Sequence, residues 1–387
     1  MFSRRLNWSQ RPNPISELLE AKRRTGAAVL DLTESNPTRA GLTYPDAEIL
    51  AAFSDPRWLH YDPSPAGLYR ARAAVAKYYA DRGANVDPSR ILLTASTSEA
   101  YAYLFKLLAD PGGEILVPRP SYPLFEFLAA LESVRLRPYP LRYDGRWHID
   151  FPALELALSP ATRAIVVVNP NNPTGSFLKC EELARLEAIA HGRDLAILSD
   201  EVFSDYGFQA DPTRVSTLST CEGAMTFSMS GLSKVAGMPQ VKLGWIVASG
   251  PGHAGAMERL EWIADTYLSV AAPVQVALPR LFEVSAGVQA QIRERTRGNL
   301  RQLKAALGGS AVNVRHSEGG WYAVLQMPRT RSEEEWALAL LGEHDVLVQP
   351  GFFFDFETEA FLVVSLLTET ETFLRGVECI RESASCV

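Results

Sequence analysis

The sequence predicts an α/β fold with two parts: a large domain, in which helices cover both faces of a mostly parallel sheet, and a smaller α+β domain. The first observation is a set of short and almost purely apolar runs, such as Ala164–Val168 and Ala196–Leu198. The second is that amphipathic stretches such as Lys179–Ala190 separate these runs. Strands that are apolar throughout are buried on both faces, and helices usually connect parallel strands. The third is a change of pattern after about residue 271.

Elements of the large domain alternate along the chain. The sequence favours a strand at Ile91–Thr94, a helix at Glu99–Leu108 and a strand at Glu114–Val117. Another short apolar run covers Val241–Val247. Because both faces of such a sheet are covered, we expect its functional residues at the carboxyl ends of the strands.

The C-terminal part has longer helices and fewer apolar runs. Its predicted elements are a long polar helix, a strand, a helix, two strands and a final helix; the first five lie at Val274–Leu307, Trp321–Gln326, Glu334–Leu341, Val346–Val348 and Phe361–Leu366. This order is typical of an α+β domain. We predict an N-terminal segment at residues 1–45, which is too short to form a domain and packs on the large and small domains. A large domain at 46–270 and a small domain at 271–387 follow.

The composition excludes several classes of protein. The chain is 47% hydrophobic and 21% charged, which is typical of a folded protein and not of a disordered one. A formal net charge of -7 argues against nucleic acid as a partner. The apolar runs are too short to span a membrane. Cys180, Cys221, Cys379 and Cys386 have neither metal-ligand nor disulfide spacing, so we expect no metal site and a reducing, cytoplasmic location.

A lysine in a Ser- and Gly-rich stretch is the first candidate for chemistry. Lys234 lies in Ser228–Gly237, just after the apolar residue Phe227. It can project from a tight turn at the carboxyl end of a strand, and its amine can form an imine with an aldehyde cofactor. In isolation, a loop lysine of this kind is more often a surface residue.

Two polar motifs follow other predicted strands. Asn169–Gly175 reads Asn-Pro-Asn-Asn-Pro-Thr-Gly, and its two prolines restrict the backbone and so direct the Asn side chains. The alternative is an ordinary turn. Asp200 ends the run that begins at Ala196. A carboxylate there can keep a pyridine nitrogen protonated and so make the ring an electron sink, although a helix N-cap is the alternative.

The stretch Thr94–Ala100 predicts an anion site. It carries hydroxyl side chains at a strand-to-helix junction, among them Thr97 and Ser98. Hydroxyls and free backbone N–H groups at a helix N-terminus bind phosphate, and simple helix capping is the alternative.

In this order and spacing, the motifs resemble those of fold-type I pyridoxal-phosphate (PLP) enzymes, in particular the class I/II aminotransferases. The resemblance covers about Leu32–Leu366. It implies a seven-stranded type of sheet, PLP joined to Lys234 as an imine, and a small-molecule amino donor and keto acceptor as substrates. It also implies that Asn172 hydrogen-bonds the phenolic oxygen of PLP, that Asp200 pairs with the pyridine nitrogen, and that Lys234 is the catalytic base.

The resemblance also implies further contacts to the cofactor. Ser230 and Lys242 would complete the phosphate site, with Lys242 standing where the family usually has an arginine, so that a point charge replaces a bidentate group. Tyr122 matches the position that stacks on the cofactor ring, although a loop anchor is the alternative. Tyr61 resembles the tyrosine that reaches the phosphate of a neighbouring subunit. This match implies a homodimer, although the loop is one residue longer than usual.

Three positions depart from the family pattern. Phe203 stands where the family commonly has a tyrosine that donates a second hydrogen bond to the phenolic oxygen. Val363 occupies the position of an arginine that binds the substrate α-carboxylate. Asn36 replaces a glycine beside that carboxylate. Either the substrate has no free α-carboxylate, or another cation such as Arg39 or Arg119 binds it; we therefore assign Asn36 and Arg39 to the substrate site.

Three functions remain open at this stage. The first is transamination. The second is another PLP reaction through the same carbanion, namely elimination, decarboxylation or cyclisation, because the orientation of the substrate decides which bond breaks. The third is a regulator or a catalytically silent PLP-binding protein, which the presence of Lys234, Asp200 and Asn172 disfavours.

Overall fold

The chain is described here from a computed structural model, which covers residues 2–6, 8 and 12–385. Cys386 lies outside the described residues. The α-helices are α1 (Pro14–Arg24), α2 (Asp46–Ala52), α3 (Tyr69–Ala80), α4 (Thr97–Leu108), α5 (Phe125–Glu132), α6 (Phe151–Ala157), α7 (Cys180–Arg193), α8 (Leu232–Val235), α9 (His253–Tyr267), α10 (Ala272–Val284), α11 (Ala286–Leu307), α12 (Glu333–His344) and α13 (Thr370–Ser385). Among the described residues, no helix has both the length and the apolar character to cross a bilayer.

The strands form one large sheet and two smaller ones. They are β1 (Leu30–Asp31), β2 (Ile91–Thr94), β3 (Glu114–Arg119), β4 (Arg135–Tyr143), β5 (Trp147–Ile149), β6 (Thr162–Val168), β7 (Ala196–Asp200), β8 (Thr226–Gly231), β9 (Gly244–Ser249), β10 (Asn313–Val314), β11 (Tyr322–Gln326), β12 (Val346–Leu347), β13 (Gln349–Pro350) and β14 (Phe361–Ser365).

The large sheet has eight strands in the order β2-β9-β8-β7-β6-β3-β4-β5. All its strands except β9 and β5 run in one direction, because β9 is antiparallel to β2 and β8, and β5 folds back on β4. The prediction of a mostly parallel sheet is confirmed. Seven strands form the body of the sheet, and the short β5 extends its edge as a hairpin.

Helices cover both faces of the large sheet, as predicted. Alternate residues of one strand belong to different cores: Val166 packs in the core that includes α4, α5 and α9, whereas Ile165 and Val167 pack in the core that includes α6 and α7. Near β2 and β9 the second face is covered by α3 and α10. This alternation explains why the strand reads as apolar throughout.

Three sequence predictions need correction in detail. The helix expected at Val274–Leu307 is two helices separated by Ser285, whose hydroxyl donates to the carbonyl of Phe282 at 3.0 Å and competes with the helical pattern. The run Val241–Val247 becomes a strand only at Gly244, because Lys242 adopts a left-handed φ of 50°. Strand β4 was not predicted, since its alternating arginines and prolines conceal the apolar pattern of a strand.

The C-terminal part forms a four-stranded antiparallel sheet in the order β10-β11-β14-β13. One face of this sheet shares a core with α11, α12 and α13. The N-terminal segment joins it, because β1 pairs in parallel with β12 and Lys22 forms an ion pair with Asp345 at 2.7 Å. Helix α10 packs on the large sheet instead, so residues after 270 contribute to both cores. The boundaries at residues 45 and 270 remain predictions.

Glu318 connects the small sheet to the loops of the large sheet. Its buried carboxylate accepts hydrogen bonds from the Lys179 ammonium at 2.6 Å and from the backbone N–H of Phe177 at 2.9 Å. The Arg214 guanidinium lies 3.3 Å from it. The Lys179 ammonium and one backbone donor therefore depend on a carboxylate that is shielded from water, and the Arg214 guanidinium is shared between this carboxylate and Asp211.

We expect Glu318→Gln to destabilise the fold by about 3–5 kcal/mol, because it removes one partner of a buried ion pair and leaves the desolvated Lys179 ammonium without a carboxylate partner among the described residues. The matched control is Glu357→Gln, which weakens a partly exposed pair with Arg142 and should cost about 1 kcal/mol or less. Urea unfolding of both variants measures the difference. A loss below about 1 kcal/mol for Glu318→Gln would contradict this role.

Candidate active site

The predicted motifs meet at one edge of the large sheet, where its parallel strands end. Strands β2, β3, β6, β7 and β8 all have their carboxyl ends there, and the register of β9 brings the ends of β2 and β8 close together at Gly244. Because each motif directly follows one of these strands, the topology places all of them at the same edge.

Lys234 lies in the short helix α8, three residues after the end of β8. Its amine is 4.8 Å from the ring centroid of Trp321 and 5.7 Å from that of Phe203. Burial lowers its pKa to about 8, against the opposing influence of the Asp200 carboxylate. The Tyr206 hydroxyl donates to the Lys234 carbonyl at 2.5 Å and holds the backbone. With this pKa about one tenth of the amine is neutral and nucleophilic at pH 7.

Asp200 is buried at the end of β7. It accepts hydrogen bonds from the Tyr101 hydroxyl at 3.1 Å and from the backbone N–H of Val202 at 3.2 Å. Burial raises its pKa to about 6, while these two donors and the nearby Lys234 work in the opposite direction. The carboxyl group is therefore held in a fixed direction but remains poorly solvated, so it gains from a further cationic donor.

The asparagines of the loop after β6 have different roles. Asn169 supports the loop, since its amide donates to Val215 O at 2.9 Å and its carbonyl accepts from Leu178 N at 3.0 Å. Asn171 accepts from the Thr174 hydroxyl at 2.9 Å. In contrast, the Asn172 side-chain oxygen is buried and has no hydrogen-bond partner among the described residues. Asn172 alone is thus free to bind a group placed in the site.

The helix N-terminus has the geometry of an anion site. Ser96 caps α4, because its hydroxyl accepts from the backbone N–H of Glu99 at 3.2 Å. Thr97 and Ser98 then occupy the first two helical positions, where backbone N–H groups have no partner within the helix. Ser230 is buried at the end of β8, and Lys242 lies just before β9. Thr97, Ser98, Ser230 and Lys242 therefore belong to the same end of the sheet.

Aromatic side chains surround these polar groups, namely Tyr122, Phe203, Trp321 and Tyr322. Burial, with the charge of Asp200 as a second cause, raises the pKa of Tyr122 to about 12. Phe203 contacts Trp321 and Tyr322 edge to face, at 5.3 and 6.2 Å between ring centroids. The site therefore has a largely aromatic lining.

Other predicted residues lie apart from this group. Tyr61 is 80% exposed, so its side chain does not enter the site of its own chain. Asn36 uses its side-chain oxygen to cap a short 3-10 turn, accepting from Thr38 N at 3.0 Å. Arg39 is exposed. Arg119 is bound to Asp355 at 2.6 Å, so neither arginine is shown in contact with the aromatic lining.

Sequence reasoning did not single out Tyr101, Trp321, Tyr206 or Tyr322. Tyr101 could have been found, because it lies four residues after Thr97 and so on the same face of α4. The other three carry no local signal of function. Tyr206 lies in the loop after β7 and belongs to the large sheet's side of the site. Trp321 and Tyr322 enter the site only because the segment around Glu318 is docked against the loops of the large sheet.

This fold and site define a family. A family model described as "Aminotransferase class I and II" matches residues 27–379, so the chain belongs to that family. It is similar to the glutamate-pyruvate aminotransferase AlaA of Escherichia coli, with 33% identity over 67% of this chain. That match spans 65% of AlaA, which is less than two thirds of its length.

Two further relatives are similar over nearly the whole chain. The 4-dedimethylamino-4-oxo-anhydrotetracycline transaminase OxyQ of Streptomyces rimosus is 30% identical over 92% of this chain and 95% of its own. The crystal structure of an aminotransferase from Escherichia coli superposes with a TM-score of 0.87 at 25% identity, over 100% of this chain and 98% of that one.

The family implies PLP, and the residues at the strand edge fit this cofactor. An amine with a lowered pKa, a buried amide oxygen without a partner and a poorly solvated carboxyl group lie around the same edge. PLP presents an aldehyde, a phenolic oxygen and a pyridine nitrogen, which are chemically complementary to these three groups. The amide of Asn172 can turn its N–H end toward an acceptor, since the two ends are nearly equal in shape.

Glu201 is a second buried carboxyl group next to Asp200. It accepts from Leu218 N at 2.7 Å, from the Thr217 hydroxyl at 2.7 Å and from the Ser199 hydroxyl at 3.0 Å. Burial outweighs these donors and raises its pKa to about 7. A raised pKa means that the folded state favours the neutral acid. This contribution to stability is complete below about pH 4.5 and is lost as the pH rises through about 7.

We therefore expect Glu201→Gln to gain stability relative to wild type between pH 5 and pH 8, on the order of 3 kcal/mol, because the amide does not ionise. Thermal unfolding at several pH values measures the gain. The exposed Glu126→Gln is the matched control and should show no such trend. A stability difference between Glu201→Gln and wild type that is independent of pH would show that Glu201 does not titrate in this range.

Proposed function

We propose that this protein is a PLP-dependent aminotransferase, which transfers an amino group between a small-molecule amino donor and a keto acceptor. The observation that carries the proposal is the Lys234 amine, which lies between aromatic rings with a pKa of about 8 in a family of aminotransferases. The similarity to AlaA and OxyQ, both named as enzymes that transfer amino groups, supports the same reaction.

Lys234 has two tasks in this proposal. It would hold the cofactor, and its neutral amine would accept and return the proton of the amine-bearing carbon of the substrate. The lowered pKa suits both tasks, because each needs the unprotonated amine. When bound, PLP supplies an aldehyde that condenses with amines and a ring that withdraws electrons from the carbon to be deprotonated.

Asp200 and Tyr101 would control the charge of the cofactor ring. The Tyr101 hydroxyl orients the Asp200 carboxylate by a hydrogen bond, and because this carboxylate is buried, a cationic partner would stabilise it. Asp200 would therefore stabilise a protonated pyridine nitrogen. In this arrangement Tyr101 is a positioning residue, because it acts through Asp200.

Polar side chains and backbone N–H groups would hold the phosphate and the phenolic oxygen of PLP. Thr97 and Ser98 would offer hydroxyls and backbone N–H groups to the phosphate, and Ser230 and Lys242 would complete the site. Asn172 would bind the phenolic oxygen. Phe203 has no hydroxyl to add a second donor, so this oxygen would be less stabilised than with two donors.

We also propose that the enzyme is a homodimer in which Tyr61 reaches the neighbouring subunit. Tyr61 is 80% exposed and lines a cavity of about 570 Å³ together with Tyr69, which is 68% exposed. Exposed aromatic groups around a cavity are typical of a protein–protein interface. We propose a reducing, cytoplasmic location as well, since Cys180, Cys221 and Cys379 carry free thiols.

The assignment of Lys234 is tested by borohydride reduction followed by peptide mapping. We expect the cofactor on Lys234, and we expect Lys234→Ala to retain the cofactor without a covalent bond but to lose at least about 100-fold in turnover, the scale of a general base. Lys242→Ala is the matched control, which should bind the cofactor more weakly yet still be labelled at Lys234. Labelling of another lysine, or of none, would refute the assignment.

Asp200→Ala should lower kcat by about 100-fold or more and affect cofactor affinity less. The reason is that its interaction matters most when negative charge develops in the transition state. Absorbance titration gives the cofactor affinity, and steady-state kinetics give kcat. Tyr101→Phe should show a smaller loss, with a shift in the pH profile of kcat. Near wild-type turnover in Asp200→Ala would exclude the electron-sink role.

A further inference from the structure

The wall that extends from Lys234 toward the small sheet is mainly aromatic, and its polar groups include the Trp321 indole N–H, which is buried and has no hydrogen-bond partner among the described residues. Beyond Trp321 and Phe203 it continues through Tyr322, which contacts Phe203 at 6.2 Å and Phe354 at 6.3 Å between ring centroids. The backbone N–H of Ser121, next to Tyr122, donates to Phe354 O at 2.9 Å, so the loop after β3 borders the same wall.

Val363 belongs to this wall. The register of β11 and β14 pairs Val324 with Val363 and Tyr322 with Ser365. Because side chains alternate along a strand, these four lie on the face of the small sheet that is opposite its helix-covered core. Val363 has no exposed surface and shares a cluster with Val324, Phe354 and Phe361. Val363 thus backs the aromatic side chains of this face with hydrocarbon at the point where β14 crosses it.

On the side of this wall that carries Arg119 and Arg142, the charges are unfavourable to an anion. Arg119 and Arg142 face three carboxylates, because Arg119 contacts Asp355 and Glu357 while Arg142 contacts Glu357 and Asp150. This network has a surplus of one negative charge. On the other side, burial raises the pKa of Tyr322, and the charge of Glu34 is a smaller cause in the same direction.

A buried carboxylate without a cationic partner is strongly disfavoured, whereas an apolar group gains about 25 cal/mol for each Å² removed from water. Resting on the aminotransferase function proposed above, we propose that the substrate is an amine whose amine-bearing carbon carries an apolar or aromatic substituent in place of a carboxylate. In the overall exchange this amine becomes the matching ketone or aldehyde, while a second carbonyl compound takes up the amino group. No external oxidant or reductant is needed.

Arg315 is the cation that offers the competing explanation. Its guanidinium lies 4.3 Å from the Tyr143 ring and 5.9 Å from that of Phe361, and its Nε is buried and finds no hydrogen-bond partner in the part of the chain that the structure describes. It also donates to the Gln326 side chain at 2.5 Å. If Arg315 bound a substrate carboxylate, donors with a carboxylate would be preferred and Arg315→Gln would abolish that preference.

The test uses amine donors that differ only in the carboxylate. The holoenzyme is mixed with alanine or isopropylamine, and with phenylglycine or 1-phenylethylamine, and the change in cofactor absorbance is followed. We expect the donor without a carboxylate to react at least 10-fold faster in each pair. Equal or faster reaction of the carboxylated donors would overturn the substrate class and leave the aminotransferase function intact. No absorbance change with any donor would overturn both.

A binding measurement gives a readout that does not depend on turnover. Calorimetry on the holoenzyme compares phenylacetate with 2-phenylethanol, which differ mainly in charge. We expect phenylacetate to bind at least 10-fold more weakly, and tighter binding of phenylacetate would contradict the proposal.

A pair of variants tests the position of the wall. Val363→Arg should shift the preference toward the carboxylated donors by at least 10-fold, because it places a cation where β14 crosses the wall, whereas Val363→Leu should leave the preference unchanged. Thermal unfolding shows whether each variant is folded. An unchanged preference in folded Val363→Arg would refute this position, and if that variant does not fold, the wild-type donor pairs decide the substrate class.

Discussion

The docking of the segment around Glu318 is the constraint on which the rest of the site depends. Its carboxylate holds Lys179, Arg214 and a backbone N–H of the large sheet's loops, and Gly319 packs so closely that a Cβ there would lie 2.7 Å from Phe177 and 2.8 Å from the carbonyl oxygen of Tyr206. This close approach brings Trp321 to the Lys234 amine. The site is therefore assembled between two sheets, and both contribute to its dryness, because Trp321 lies against the Lys234 amine while Asp200 and Glu201 are buried among residues of the large domain.

That dryness sets the electrostatics. Enclosure lowers the pKa of Lys234 and raises those of Asp200 and Glu201, because each group loses water that would stabilise its charged form. The hydrogen bonds of Asp200 and Glu201 limit the shift without cancelling it. A reactive neutral amine and a carboxylate that favours a cationic partner thus have one physical cause.

Much of the large domain could be predicted from the sequence because its signals are local. A strand buried on both faces reads as an apolar run, as in β6 and β7, and the residue that follows such a strand lies at the sheet edge whatever the rest of the chain does. Strand β4 escaped prediction because it lies near the edge of the sheet, where arginines and prolines are tolerated. The break at Ser285 escaped as well, since this residue keeps right-handed helical dihedrals and a helical backbone bond to Leu281 O, so the sequence reads as one continuous helix.

By itself the sequence determined the fold class, the family and the lysine, asparagine and carboxylate that follow the strands, since each of these depends on short-range patterns. The resemblance already pointed to Asn172, but only the tertiary structure gave the physical reason, because Asn169 and Asn171 are bonded within the loop while the Asn172 side-chain oxygen has no partner among the described residues. The tertiary structure alone showed that Arg119 is compensated by acidic neighbours and that Val363 belongs to a mainly aromatic wall. Those facts depend on contacts between residues far apart in the chain, which no local pattern records.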